Sequence, residues 1–87
     1  MNKIELQFIS TASHGYLKVP FNILHKYVND KDISEYSFVD HTKKIFYLEE
    51  DCDAPLFMKI VKQKDNIEIY ESYLEDLPIT TERLFRS

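Results

Sequence analysis

The chain has one cysteine, one glycine, three prolines and no tryptophan in 87 residues. A single cysteine forms no internal disulfide, so the fold is not that of a disulfide-stapled secreted miniprotein. One glycine excludes glycine-rich phosphate loops, flexible linkers and collagen-like repeats. No apolar run is long enough for a membrane span, and the opening residues MNKIELQF have no apolar core of the kind a signal peptide needs. We therefore expect a protein of the reducing cytoplasm, with no membrane partner. Basic charge is also in deficit, with 15 Asp and Glu against 11 Lys and Arg and a net charge of −4. That balance disfavours nonspecific phosphate binding, so no nucleic-acid partner is expected, and it is too small to mimic a nucleic acid.

What is present is a foldable core. Hydrophobic residues make up 44% of the chain and aromatics 14%, from six Phe and six Tyr, which argues against disorder. At this length the chain forms one domain with one efficient core. The six tyrosines cannot all be inside, because each buried hydroxyl needs a partner, so some are expected on the surface.

The pattern along the chain is a regular alternation of short elements. Over residues 3–8, Ile4, Leu6 and Phe8 alternate with Lys3, Glu5 and Gln7, the period of a strand with one buried face. The small polar run 10–15 predicts a hairpin loop in which Gly15 adopts a backbone angle that other residues avoid. A second strand over 16–19 ends at Pro20, which suits the first turn of a helix over 21–28, with Ile23, Leu24, Tyr27 and Val28 on one side. Residues 29–32 form a polar stop. Residues 34–39 and 44–49 read as a second hairpin with a turn at 40–43. In the next helix Leu56, Phe57, Ile60 and Val61 form the apolar stripe, Pro55 lies in the first turn, and Lys62 and Lys64 lie near the end. Residues 67–73 alternate again as a last strand. The predicted fold is α+β: a small antiparallel sheet in the order ββαββαβ with two helices on one face. It occupies residues 1–76, with 77–87 as a tail or short terminal helix.

The sharpest local feature is Glu49-Glu50-Asp51-Cys52-Asp53, four carboxylates around the only cysteine, between a strand and a helix. One reading is helix initiation, with Asp51 or Asp53 as the cap and the other carboxylates at the positive end of the dipole. A second is an interaction patch that meets Arg or Lys of a protein partner. A third is a divalent-metal site, since Asp51 and Asp53 have the spacing that opens a calcium loop. The glycine and closing glutamate of such a loop are missing, and no metal is expected. Like charge opposes a thiolate at Cys52, which is expected to be a small buried hydrophobe. His14, His25 and His41 show no zinc spacing; His14 helps shape its turn and His25 borders the core. No cofactor is expected.

Two octapeptides, Ser13-His14-Gly15-Tyr16-Leu17-Lys18-Val19-Pro20 and Tyr47-Leu48-Glu49-Glu50-Asp51-Cys52-Asp53-Ala54, with Ser37 between them, carry a resemblance. The chain resembles, over roughly residues 8 to 60, a family of small uncharacterised proteins of phages and bacterial mobile elements. The resemblance implies a genomic setting and no catalytic residue. Accessory proteins of that setting often inhibit host defence systems, CRISPR systems among them. The expectation is a nonenzymatic binding module acting on a host protein, or forming a homodimer, through Glu49, Glu50, Asp51, Asp53, Tyr16 and His14. The alternative is a small hydrolase or transferase assembled from His14, His41, Cys52 and the acidic residues, with or without a metal.

Overall fold

A computed structural model of the protein describes residues 3–83. The chain forms β1 (Lys3–Ser10), β2 (Gly15–Pro20), α1 (Phe21–Leu24), β3 (Phe38–Asp40), β4 (Ile45–Glu49), α2 (Asp53–Lys62), β5 (Asn66–Tyr73) and β6 (Glu82–Arg83). It is a mixed α+β fold with one six-stranded sheet in the order β5-β1-β2-β4-β3-β6.

The expected hairpins are β1–β2 and β3–β4, joined through the antiparallel pair β2–β4. The sheet is not wholly antiparallel as expected: β5 lies parallel to β1 over its full length, from Lys3↔Asn66 to Ser10↔Tyr73. The cause is α2. A helix after β4 returns the chain to the end of the sheet where β4 began, so the next strand starts in the same direction.

The alternation in the strands sorts side chains onto two faces. Leu6 of β1, Leu17 and Val19 of β2, Val39 of β3, and Phe46 and Leu48 of β4 join Leu24 of α1 and Ala54, Phe57 and Val61 of α2 in one core cluster. Ile9, Tyr16 and Tyr47 form a second, smaller cluster with Phe38, Ile45 and Leu77 packed against it. α1 is shorter than the predicted helix over 21–28. Beyond Leu24 the chain makes turn-like bonds, Lys26 N–H to the Ile23 carbonyl and Tyr27 N–H to the Leu24 carbonyl, and one helical bond, Val28 N–H to the Leu24 carbonyl at 3.0 Å, before Asn29 and Asp32 box off a single 3-10 turn at Asp30–Asp32. A reciprocal cap made of Asn29 and Asp32 competes with further helix. His25 is exposed beside Asp30, yet its ring meets Phe21 at 5.8 Å and the core ring of Phe46 edge-on at 6.1 Å, so it borders the core as expected. Among the tyrosines, Tyr16 and Tyr47 are buried, whereas Tyr36, Tyr70 and Tyr73 are exposed.

Of the segment expected as a tail or short helix, Glu82–Arg83 form β6 of the sheet; residues 84–87 lie outside the described residues. From β5 at one edge to β6 at the other is five strand spacings, about 24 Å. The nine-residue step from Tyr73 to Glu82 reaches about 30 Å when extended. The connection is therefore nearly taut. Leu77 packs on the second cluster, the Thr80 hydroxyl donates to Asp40 Oδ2 at 2.5 Å, and β6 pairs with β3. The signal for a tail was Pro78, but its carbonyl accepts from Thr81 N–H at 3.0 Å and the turn it makes redirects the chain onto the sheet.

Gly15 has no positive φ; the left-handed residue is Lys44 (φ 58°), in the β3–β4 turn. Gly15 is there for space. A Cβ at this position would lie 2.5 Å from Phe8 Cζ and 2.8 Å from Glu50 Oε2. Gly15→Ala is expected to lower stability by about 1–3 kcal/mol, read from the urea midpoint, because the Phe8 ring must leave its place. The second expectation concerns acid. Asp40 is buried, and the Thr80 hydroxyl, helped by the backbone of Lys43 and Thr42 and the Lys43 charge, holds its carboxyl below the usual range. A depressed carboxyl contributes stability that is complete above its unfolded value of about 3.9 and is lost as the pH falls through the lower folded value. Thr80→Val should flatten the loss of stability below pH ~4, measured as the difference between urea midpoints at pH ~5 and ~2.5.

Candidate functional site

The acidic segment begins where β4 ends and α2 starts, and its four carboxylates have different roles. Asp53 is only 5% exposed. It accepts hydrogen bonds from Ser34 N–H at 3.1 Å, from the Ser34 hydroxyl at 2.7 Å and from the Ser37 hydroxyl. Ser37 Oγ in turn accepts from Glu49 N–H at 2.9 Å. This network joins the loop before β3 to the start of α2 and the end of β4. Asp53 belongs to the expected partner-contacting set, but it is buried and its oxygens are engaged by the part-buried donors of Ser34 and the buried hydroxyl of Ser37. It is not the helix cap either, since the N-cap residue is Cys52, with no side-chain cap bond, and Asp53 lies in the first turn. Asp51 does not cap; its N–H donates to Glu49 Oε2 at 2.8 Å, which turns the bend.

Glu50, Asp51 and Cys52 are exposed on that bend. The exposed thiol corrects the expectation of a buried cysteine. Partial desolvation, a hydrogen bond with Glu49 and the charges of Glu49, Asp53 and Asp51 all push the thiol pKa up. A raised pKa keeps the sulfur protonated and opposes a nucleophilic role.

Beside the bend is a hollow of about 230 Å³ lined by His14, Tyr16, Tyr36, Phe38, Glu49, Asp51, Cys52 and Arg83. The β1–β2 hairpin loop supplies His14, β2 supplies Tyr16, the loop held by Asp53 supplies Tyr36, and β3 and β6 supply Phe38 and Arg83. The hollow collects four of the six expected contact residues: His14, Tyr16, Glu49 and Asp51. Glu50 stands next to it, its Oε2 over Gly15. Tyr16 contributes from underneath, being only 6% exposed, so it is not the surface anchor expected of it. Its ring meets Phe38 edge-on at 5.7 Å and His14 at 6.3 Å. Desolvation and the Glu49 charge push its hydroxyl pKa up.

Tyr36, Phe38 and Arg83 were missed as site residues. Tyr36 is 57% exposed and forms one wall. The Arg83 guanidinium lies over the Phe38 ring at 4.8 Å and donates from Nη1 to the Glu35 carbonyl at 3.1 Å. Tyr36 and Phe38 flank Ser37, and the expectation of surface tyrosines was the signal for Tyr36. Nothing local marks Arg83, which reaches the hollow only through the β3–β6 pair.

The set proposed for an enzyme does not assemble. His41 is apart from the hollow, edge-on to Phe21 and 3.5 Å from Glu82 Oε1, while His14 and Cys52 share the hollow without a hydrogen bond between them among the described residues. Among the described residues no group of three or more His, Cys, Asp or Glu is arranged to hold a metal ion. Among them, no helix is long and apolar enough to cross a membrane.

The two aspartates of the segment are expected to separate under mutation. Asp53→Ala leaves two serine hydroxyls and the part-buried N–H of Ser34 without their acceptor and should cost about 3 kcal/mol in urea denaturation, whereas Asp51→Ala should stay within about 0.5 kcal/mol. Compared with known proteins, the chain matches no family model, no curated protein and no solved structure.

Proposed function

We propose that the protein is a nonenzymatic binding module that engages a protein partner through the hollow and the acidic bend beside it. The observation that carries this reading is the convergence, at one end of the sheet, of an exposed bend bearing Glu50 and Asp51 with the aromatic walls Tyr36, Phe38 and Tyr16. Aromatic rings in a concave site, rimmed by charge, are the chemistry of interface anchors. The raised thiol pKa of Cys52 and the separation of His41 from His14 weigh against the hydrolase or transferase alternative.

The resemblance to small proteins of phages and mobile elements supports a host protein as the partner, within the bacterial cytoplasm, and inhibition of a defence protein as the outcome. The acidic bend supports a partner with a basic surface, such as a groove that handles nucleic-acid phosphates. A homodimer is the second reading. It is favoured by β5, which is an edge strand whose Tyr70 and Tyr73 are exposed. An antiparallel pair of two β5 strands centred on Ile69 and Tyr70 would set Glu68 against Glu71 of the other copy, which is unfavourable.

The test is affinity capture from bacterial lysate with mass spectrometry, using wild type and a Tyr36→Ala, Asp51→Lys double variant whose melting temperature matches wild type. One protein retained by wild type and reduced at least tenfold with the variant is the expected outcome. Equal recovery with both removes the bend and hollow as the contact surface.

A further inference from the structure

The hollow has the size of one side chain. Pockets for whole small molecules run from about 300 to 1,000 Å³, and this one is about 230 Å³. Three aromatic rings line it, Tyr36 and Phe38 at the sides and Tyr16 from underneath. Tyr16 is more than nine-tenths buried, yet its hydroxyl makes no hydrogen bond among the described residues. No buried side-chain polar atom among them is sealed off without a partner, so the hydroxyl opens into the hollow that Tyr16 lines. Glu49 and Asp51 line the same space, and neither forms an ion pair among the described residues. An unpartnered hydroxyl, two carboxylates without a cation and flat aromatic walls together describe a receptor for a planar cation.

One such cation is already at the rim. Arg83 stacks on Phe38 at 4.8 Å, inside the ~6 Å range of a cation–π contact. Its guanidinium makes one hydrogen bond among the described residues, to the Glu35 carbonyl, which leaves Glu49 and Asp51 unmatched. Its own strand, β6, has two residues on the edge of the sheet, and the anchors of that segment, Leu77 on the second cluster and Thr80 on Asp40, lie before the strand. A short edge strand is the weakest attachment a sheet offers, so Arg83 is replaceable.

We propose that the hollow receives an arginine side chain of the partner protein, whose guanidinium takes the place of Arg83 over Phe38 and reaches the carboxylates of Glu49 and Asp51. This deepens the binding-module reading and rests on it. Arginine is favoured over lysine because a guanidinium stacks its plane on aromatic rings and donates in a fork to carboxylates, which an ammonium does not.

The test titrates the whole chain with N-acetyl-arginine amide and follows backbone amides by nuclear magnetic resonance, with N-acetyl-norleucine amide as the uncharged control. A single side chain should bind with a dissociation constant on the order of 10 mM, shifting amides of Gly15, Tyr36, Asp51 and Cys52. Arg83→Gln should tighten binding at least threefold and Asp51→Asn weaken it at least threefold, both with wild-type spectral dispersion. The absence of these shifts in wild type at ~50 mM, or equal shifts from the norleucine control, overturns the proposal; so does unchanged affinity in Asp51→Asn, a comparison that stands even if Arg83→Gln does not fold. A protein partner captured through Tyr36 and Asp51 without arginine binding would leave the module reading and remove only the inserted side chain. Arginine binding without a protein partner would do the reverse.

Discussion

The arrangement of the site depends on one buried carboxylate. Asp53 accepts from Ser34 and Ser37, and Ser37 accepts from the backbone of Glu49, so three segments distant in sequence are fastened at one point. A buried carboxylate without donors carries a large desolvation cost, and here backbone and hydroxyl donors offset it. The consequence is positional. Tyr36 belongs to the loop that Ser34 and Ser37 anchor, Glu49 ends the strand whose amide reports to Ser37, and α2 starts at Asp53 itself. Fixing these three ends defines both a wall of the hollow and the bend beside it.

Much of the secondary structure was legible because alternation and the 3.6-residue period survive in short elements. Ile4, Leu6 and Phe8 announce β1, and Leu56, Phe57, Ile60 and Val61 announce α2, although Leu56 itself remains half exposed. The direction of β5 was legible too, but through connectivity, not composition: a helix between two strands of one sheet sets them parallel. The antiparallel expectation followed the hairpins and did not weigh that link. The departure of α1 from an eight-residue helix follows from Asn29 and Asp32, whose mutual cap gives the backbone a local alternative.

Residues of the candidate site were legible in proportion to how local their cause is. Clustering in sequence drew attention to residues 49–53, and four expected contact residues do line one hollow. Clustering could not say which carboxylate faces inward, because that depends on Ser34 and Ser37, sixteen and more residues away. Tyr16 was expected among the contact residues, yet strand alternation sets it on the face opposite Leu17, beneath Leu77. Arg83 is the extreme case. Its place over Phe38 requires a taut crossing of the whole sheet and a pairing of two residues, neither of which leaves a periodic mark.

That crossing also decides which surfaces remain for a partner. The second cluster is separate from the one that α1 and α2 join, and left uncovered its Ile9, Tyr16, Tyr47 and Ile45 would be a large apolar patch. The segment from β5 to β6 covers it with Leu77 and fastens itself through Thr80 to Asp40. Aromatic surface is therefore withdrawn from the middle of the sheet and left at its end, where Tyr36 stands beside the acidic bend. A broad aromatic face would favour indiscriminate association, whereas one concave site edged by carboxylates couples apolar contact to a charge requirement. In the proposed arginine site, selectivity for a cationic group would arise from that pairing, since neither the rings nor the carboxylates would discriminate as well alone.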